Sequence, residues 1–429
     1  MRKLFVLVVV GSLGCIVGCG GGTPAGIPGG GGNGTGNVLS IAVDGGPTAN
    51  QPNGAIYANG LFASATICAP GSTSNCVTVD HLLVDTGSYG LRVLESELSS
   101  LNLPTLNAAN GSPAYDCVAF ADLSFLWGPV QKADVTLAGE VAKSLPIHVI
   151  SSSTANIPTS CSSGNSTGDE NTQATLGANG ILGVGLEPTD CFFEGGSACD
   201  PSSGVTPVPA PAYYTCASLP CSSQYISVNN QVANPVALFP VDDNGVIVEL
   251  PSVSGSAATV TGSLIFGVGT ESNNQITTSV KLFTLACNLF DTAFEGQVFD
   301  VDPANCGGAG SFIDSGSNAY FFPDVNNSIP ICPSGTPAQN FYCPTSLLSL
   351  SATNQDPNTG FSEVANFSVD NGNNLFTSSD AAYSALGGPA PSTRGFDWGL
   401  PFFYGKNVFS TIDGQGAPSN LPAPPWWAY

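Results

Sequence analysis

The chain has 429 residues and a strongly acidic composition, with thirty-one Asp and Glu against eight Lys and Arg and a formal net charge of −23 at pH 7. Such a charge repels phosphate backbones and anionic headgroups, which excludes nucleic acid as a partner and excludes electrostatic binding to a membrane surface. The length exceeds what a single hydrophobic core usually supports, so two lobes are expected.

The first eighteen residues have the pattern of an export signal. Two basic residues precede the apolar run 4–10, and the segment 16–19 is similar to the cleavage site of bacterial lipoprotein signals. The apolar run is too short to span a membrane. We therefore predict that residues 1–18 are removed and that Cys19 is acylated, so that the protein meets the bacterial cell envelope only through its lipid. Gly20, in place of the aspartate typical of inner-membrane retention, favours the outer membrane.

Residues 19–37 consist almost wholly of Gly, Pro, Thr and Asn and predict a flexible tether, because this composition cannot bury enough apolar surface to order itself. Beyond the tether, short β-branched and aromatic runs alternate with turn residues, which predicts an all-β protein with few short helices. We place an N-terminal β lobe at 38–240 and a C-terminal β lobe at 241–429. Strands are expected at 38–43, 56–67, 77–84, 135–137, 147–150, 246–250 and 263–268.

Two local patterns make further structural predictions. Residues 94–101 and 378–386 are the helical candidates. The triplet 243–245, Asp-Asn-Gly, lies between the apolar runs 236–239 and 246–248 and predicts a tight hairpin.

The fourteen cysteines indicate disulfides. Cys15 leaves with the signal and Cys19 takes the lipid, so an even set of twelve remains in an oxidising compartment. Their pairing is a guess from proximity along the chain: Cys68/Cys76, Cys191/Cys199, Cys216/Cys221 and Cys332/Cys343, with Cys117/Cys161 and Cys287/Cys306 as the longer pairs. Zinc needs closely spaced cysteines or histidines, and the two histidines are far apart, so neither a metal nor another cofactor is expected.

Two segments resemble each other across the chain, one in each expected lobe. Asp85-Thr86-Gly87-Ser88 and Asp314-Ser315-Gly316-Ser317 each follow an aliphatic run with an acid, a hydroxyl residue, a glycine and a serine. Two carboxyls held close together share a proton, and their pKa values separate. One can then act as a general base on water while the other donates a hydrogen bond to a substrate carbonyl.

These motifs resemble the two catalytic loops of pepsin-like aspartic peptidases, and weaker matches follow in order at 179–186, 234–236, 262–267 and 398–403. The resemblance covers roughly residues 40 to 415. It implies a bilobal β fold in which Asp85 and Asp314 are catalytic. The residues it places in support are Thr86 and Ser315, which cross-link the loops beneath the acids, Gly87 and Gly316, which permit the turns, and Ser88 and Ser317, which bond the acids from outside. The exported, cysteine-rich form is also similar to bacterial lipoproteins of a family of unknown function.

Two departures from that family stand out. Its substrate-covering hairpin carries a tyrosine some forty residues after the first acid, whereas residues 117–139 here contain Phe120, Phe125 and Trp127 and no tyrosine. We take these three rings as the possible cover. Arg92 stands where the family commonly has tryptophan, and two interpretations remain open: the cation lowers the pKa of the acids, or it points into solvent.

The resemblance predicts a monomeric aspartic-type endopeptidase whose acids activate water, whose substrate is a polypeptide and which needs no cofactor. Two alternatives stay open. A non-catalytic protein of the same bilobal fold would hold a peptide or glycan between its lobes, and the missing tyrosine favours it. A structural envelope lipoprotein would need no chemistry in the cleft.

Overall fold

The computed structural model describes residues 36–47, 56–108, 110–120, 122–153, 156–162, 167–193, 196–197, 212–216, 219–304, 306–390 and 394–429. The signal segment 1–18, Cys19 and the tether up to residue 35 lie outside these ranges. Asn37, assigned to the tether from the sequence, is 5% exposed and donates to the Phe266 carbonyl at 3.0 Å. No helix in the described part of the chain is long and apolar enough to cross a membrane.

The first half of the described chain is built from short strands and two single-turn helices. The strands are β1 Val38–Val43, β2 Leu61–Cys68, β3 Cys76–Asp85, β4 Tyr89–Leu94, β5 Ala114–Ala119, β6 Ser124–Leu137, β7 Glu140–Ile150, β8 Gly168–Asp169, β9 Gly180–Val184, β10 Phe192–Phe193, β11 Gly196–Ser197, β12 Tyr213–Thr215 and β13 Ser222–Ser223. The helices are α1 Thr159–Ser162 and α2 Gln173–Leu176.

The second half continues the same composition. Its strands are β14 Gly245–Leu250, β15 Ser256–Ala257, β16 Val260–Phe266, β17 Leu282–Thr284, β18 Asp291–Phe294, β19 Gln297–Phe299, β20 Val301–Asp302, β21 Gly307–Gly308, β22 Phe312–Ile313, β23 Tyr320–Phe322, β24 Leu348–Gln355, β25 Ser362–Val369, β26 Ala382–Tyr383, β27 Gly387–Pro389, β28 Asp397–Trp398, β29 Lys406–Thr411 and β30 Trp426–Ala428. The helix α3 spans Gly372–Leu375, and 3-10 turns span Val228–Asn230, Val236–Leu238 and Leu400–Phe403. The predicted all-β class with a few short helices is confirmed.

A long sheet joins the two halves. Its strand order is β13-β12-β5-β6-β7-β4-β9-β3-β2-β1-β16-β14-β29-β30-β17, and β1 pairs antiparallel with β16, with Val38 opposite Ile265. The apolar faces of these strands meet in a core that draws on both halves, including Ile41, Val84 and Leu264, each fully buried. The first strand therefore ties the two halves together.

The same three-strand unit occurs once in each half, and each copy ends at one of the two acids. In the first half, β3 runs parallel to β9 with Asp85 opposite Gly183, and β4 runs antiparallel to β9. In the second half, β22 runs parallel to β28, and β23 runs antiparallel to β28. Because the units correspond, both acids leave their strands in equivalent positions.

Two local predictions are wrong. In the first candidate, 94–101, residue 94 ends β4 and residues 95–100 form turns. The second, 378–386, contains β26, while the nearby helix is α3, which the Asn371 side chain caps. The predicted hairpin at 243–245 is absent from the described chain: residues 236–238 form a 3-10 turn after Pro235, and β14 pairs with β16 and β29 instead. The fixed φ of proline favours a turn there over a strand.

Disulfides close several loops of both halves. The structure contains Cys68–Cys76, Cys117–Cys161, Cys216–Cys221, Cys287–Cys306 and Cys332–Cys343, which are five of the predicted pairs. The sixth predicted pair includes Cys199, which lies outside the described residues. Each bridge limits the conformations open to the unfolded chain and so favours the folded state.

Candidate active site

The first loop holds Asp85 by bonds from its own next residues. The backbone N–H groups of Gly87 and Ser88 donate to Asp85 Oδ1 at 2.8 and 3.1 Å, and Ser88 Oγ donates to Asp85 Oδ2. Asp85 is fully buried at the end of β3. The loop therefore fixes both carboxyl oxygens.

The second loop repeats this arrangement around Asp314. The Gly316 N–H donates to Asp314 Oδ1 at 2.7 Å, and Ser317 Oγ lies 3.2 Å from Asp314 Oδ2. Asp314 is 1% exposed. Its backbone N–H donates to the Trp398 carbonyl at 3.1 Å, which ties the acid to β28.

Reciprocal hydrogen bonds cross-link the two loops. The Thr86 N–H donates to Ser315 Oγ at 3.1 Å, and the Ser315 N–H donates to Thr86 Oγ1 at 3.0 Å. Each hydroxyl then donates onward to the backbone of the opposite loop, Ser315 to the Val84 carbonyl at 2.7 Å and Thr86 to the Ile313 carbonyl at 3.3 Å. These four bonds fix the separation of the loops and thus of the two acids.

The carboxyls of Asp85 and Asp314 are in direct contact. They form a hydrogen bond with each other, and a Cβ added at Gly87 would overlap the Asp314 carboxyl. Burial raises the pKa of Asp85, and the charge and hydrogen bond of Asp314 raise it further, well above its usual range. Burial also raises the pKa of Asp314, while bonds from Asp85, Gly316 and Ser317 oppose the rise. The two buried carboxyls therefore share a proton and titrate as a pair.

A third acid lies beside this pair. Asp397 in β28 is 1% exposed, and its Oδ2 lies 2.6 Å from Ser317 Oγ, the hydroxyl that also contacts Asp314. The Trp398 ring stacks on Phe396 at a centroid distance of 4.8 Å, so the strand that carries Asp397 is anchored in the aromatic core. The site thus contains three neighbouring carboxyl groups.

Tyr57 is a buried phenol on which the charges of both acids act. Its hydroxyl is buried and has no hydrogen-bond partner among the described residues. Burial, then Glu170, then Asp85 and Asp314 raise the pKa of this phenol well above its usual range. The following residues bridge the halves, since Asn59 Nδ2 donates to the Asn318 carbonyl at 2.8 Å. The segment that carries this phenol therefore contacts the second half.

The three rings proposed as a cover lie inside the first half. Phe120, Phe125 and Trp127 are 1%, 4% and 2% exposed. Trp127 stacks on Tyr115 at 5.3 Å. The β5–β6 hairpin that carries these rings is not a free flap, because β12 pairs along β5 with Tyr214 opposite Tyr115. These rings fill the core in place of covering the acids.

The interpretation that Arg92 points into solvent is wrong. Its side chain is 1% exposed, and its guanidinium donates to Asp116 Oδ2 and, at 3.0 Å, to Asp190 Oδ2. His148 Nδ1 lies 2.9 Å from Arg92 Nη1, and burial followed by the arginine charge lowers the pKa of this histidine well below its usual range. Burial and then the Asp116 charge raise the pKa of Asp190 to about 7, against the opposing effect of Arg92. Arg92 is the centre of a buried polar cluster built from β4, β5 and β7.

Sequence reasoning missed two residues of the site. Asp397 directly precedes the segment 398–403 that the motif comparison selected, so extending that segment by one residue would have included it. Tyr57 carries no local signal, because its proximity to the acids depends on how the chain before β2 folds back. A search for acids near the second loop's partner strand would have found the first residue and not the second.

Comparisons with known proteins were made for the whole chain. A family model described as "Protein of unknown function (DUF3443)" matches residues 33–429. No curated protein matches the chain. Among solved structures, an aspartic proteinase from Irpex lacteus is similar, with 14% sequence identity, a TM-score of 0.42, and coverage of 87% of this chain and 93% of that chain. The chemistry of the site is therefore argued from its own geometry.

Proposed function

The chain belongs to the family described as "Protein of unknown function (DUF3443)", and from the geometry of its site we propose that it is an aspartic-type endopeptidase. The observation that carries this proposal is the pair of buried, hydrogen-bonded carboxyls on two loops that cross-link each other. A pair that shares one proton offers a base and an acid at one point. A merely structural acid pair would have no need of such matched loops.

The reaction follows from the charge distribution of the pair. Asp314, as the ionised acid, takes a proton from a water molecule, whose oxygen adds to the peptide carbonyl carbon. Asp85 donates its proton toward the carbonyl oxygen, giving a tetrahedral diol. The C–N bond then breaks as the nitrogen takes the proton that Asp314 received from water. One diol hydroxyl returns its proton to Asp85 and becomes the carbonyl of the new carboxyl group, which restores the starting pair. Water is the only co-reactant, so the mechanism invokes no cofactor.

The surroundings support hydrolysis in a site shielded from water. Asp85 and Asp314 are 0% and 1% exposed, and the charges of both raise the pKa of the Tyr57 phenol. In this proposal Tyr57 takes the place of a cover tyrosine. Its unpartnered hydroxyl is free to donate to the substrate oxygen that gains charge.

The same burial favours a second candidate function, non-catalytic binding of an extended peptide between the halves. This alternative needs the acids only as hydrogen-bonding groups and requires no water between them. In either case, the signal pattern at 1–19 supports a lipid-anchored protein of the cell envelope, with the outer membrane as the proposed site and the monomer as the proposed state.

Incubation of the purified protein with a denatured polypeptide between about pH 3 and 8 separates the two candidates. The endopeptidase is expected to cut within the polypeptide at acid pH. Its rate should fall as pH rises past the upper apparent pKa of the pair, because Asp85 then loses the proton that polarises the carbonyl. Binding without new peptide termini at every pH would support the second candidate.

Replacement of Tyr57 by phenylalanine is expected to lower kcat about 10²-fold, because the variant lacks a donor to the developing oxyanion. Stability should be retained or rise, since the removed hydroxyl is buried without a partner among the described residues. Steady-state kinetics and thermal melting measure the two effects.

Tyr342→Phe is the matched control for Tyr57→Phe. Its hydroxyl is also buried but donates to the Phe322 carbonyl at 2.8 Å, and the charges that raise its pKa are those of Asp324 and Glu295. This variant should lose about 1 kcal/mol of stability and keep its kcat. A Tyr57→Phe variant with unchanged kcat would show that the phenol does not contact the reacting groups.

A further inference from the structure

Three acids and one serine form a continuous buried chain in the site. Asp85 bonds to Asp314, Asp314 Oδ2 lies 3.2 Å from Ser317 Oγ, and the same Ser317 Oγ lies 2.6 Å from Asp397 Oδ2. All four residues are at most 1% exposed. Within the described ranges, no Lys, Arg or His forms an ion pair with any of these acids. Their charge must therefore be limited by bound protons.

The contacts of the Ser317 hydroxyl show that either Asp314 or Asp397 must carry a proton. A hydroxyl carries a single hydrogen and cannot donate to two carboxylates at once. Both contacts form only if Ser317 donates to one acid and accepts from the other. The shorter contact, to Asp397, has the usual length of an O–H···O bond.

We propose that Asp397 is a positioning residue of the pair: as a neutral carboxylic acid it donates to Ser317 Oγ, which directs the Ser317 proton to Asp314. This inference rests on the proposed function and assigns the ionised state to Asp314. Asp397 acts through Ser317 and touches neither water nor substrate. Because Ser317 donates to Asp314 in this arrangement, Asp314 is the ionised acid and the proton that the pair shares lies on Asp85.

The other oxygen of Asp397 supports the neutral form. Asp397 Oδ1 is buried and has no hydrogen-bond partner in the described part of the chain. A bare carboxylate oxygen in such a place is far more costly than the carbonyl oxygen of a neutral acid. β28 cannot easily move to relieve this cost, because it lies between β22 and β23.

The titratable groups that act on Asp397 all favour its protonation. Burial raises the pKa of Asp397 first, and the charges of Asp314 and Asp85 raise it further. A bond donated by Ser317 to Asp397 would oppose this rise, and the proposed direction, with Asp397 as the donor, removes that opposition. The residues opposite Asp397 on β22 and β23 are Phe312 and Phe321, which carry no charge. Burial and the charges of Asp314 and Asp85 therefore favour the neutral form of Asp397.

The first test needs no substrate and compares melting temperatures of the wild type and Asp397→Asn between about pH 4 and 8. When folding raises the pKa of an acid, the protein loses stability as pH rises from the unfolded pKa of about 3.9 to the folded pKa. Asparagine has no proton to lose and still donates to Ser317. The variant should therefore gain in melting temperature relative to the wild type, and the gain should grow with pH.

Asp356→Asn is the control of opposite sign. Asp356 is equally buried by exposed area, but its carboxylate accepts bonds from Thr284 and Thr359, and its pKa is lowered. That variant should lose stability relative to the wild type as pH rises. If Asp397→Asn behaves like Asp356→Asn, Asp397 is ionised in the folded protein and the inference is overturned.

The second test reads the pH profile of hydrolysis in Asp397→Leu and Asp397→Asn. Leucine removes the donor that orients Ser317, so the Asp314 pKa should rise and the acid limb of kcat should move up by about one pH unit. Asparagine should reverse most of that shift. An unmoved acid limb in Asp397→Leu, or an asparagine variant that matches leucine, would contradict the positioning role. Absence of wild-type hydrolysis would defeat the proposed function and leave the melting test to decide the protonation of Asp397.

Discussion

Asp85→Asn and Asp314→Asn are each expected to lower kcat by about 10³-fold or more, because each substitution removes one of two groups that exchange protons in the reaction. Asparagine keeps the size of the side chain and the oxygen that accepts from Gly87 or Gly316. The loss should therefore appear in kcat and leave KM nearly unchanged. Steady-state rates on a denatured polypeptide at acid pH measure it.

The double variant should be little worse than either single one. Groups that act as a unit are strongly non-additive, so most of the loss occurs with the first substitution. Two separate tenfold losses that multiply in the double variant would contradict a shared-proton mechanism. Substantial hydrolysis by Asp314→Asn alone would also exclude it.

Stability should move in the opposite direction from activity. The folded pKa of both acids is raised, so the wild type loses stability as pH rises above their unfolded pKa of about 3.9. At neutral pH each asparagine variant should melt at or above the wild-type temperature. Asp324→Asn, in a turn of the second half where the carboxylate accepts from the Ile329 N–H, is the control and should keep wild-type kcat.

Arg92→Met is expected to destabilise the protein by about 3–5 kcal/mol, because it leaves Asp116 buried without its cation. Asp116 is fully buried, and its Oδ1 has no hydrogen-bond partner among the described residues. Methionine fills similar space, so the loss comes from charge and not from a cavity. Denaturant unfolding at neutral pH, compared at constant slope, measures the change.

Two further variants test the origin of that loss. Arg92→Met combined with Asp116→Asn should recover part of the stability, since the unpaired charge is removed together with its partner. Lys143→Met removes an exposed cation from β7 and should change stability by less than about 0.5 kcal/mol. If Arg92→Met lowers the free energy of unfolding as little as Lys143→Met does, the buried cluster around Arg92 does not stabilise the first half.

Much of the Asp85–Asp314 pair follows from the sequence, because residues close along the chain hold each acid. Asp85 is bonded by residues two and three positions later, and Asp314 repeats the pattern. The all-β class also follows from short apolar runs and frequent turn residues. Local patterns failed where neighbours were decisive, as at 236–239, where a 3-10 turn replaces the strand that the apolar run suggested.

The sequence by itself determined the two acid loops and the strand-rich class, since both depend on residues close along the chain. The cysteine pairs were guessed from proximity, and the structure contains five of them. Only the tertiary structure decided that the loops bond each other across 229 positions, that Asp397 reaches Ser317 across 80, and that Arg92 is buried among acids. The physical reason is register. The pairing register of a strand determines on which face of the sheet each side chain lies, and its partner strands come from distant segments of the chain.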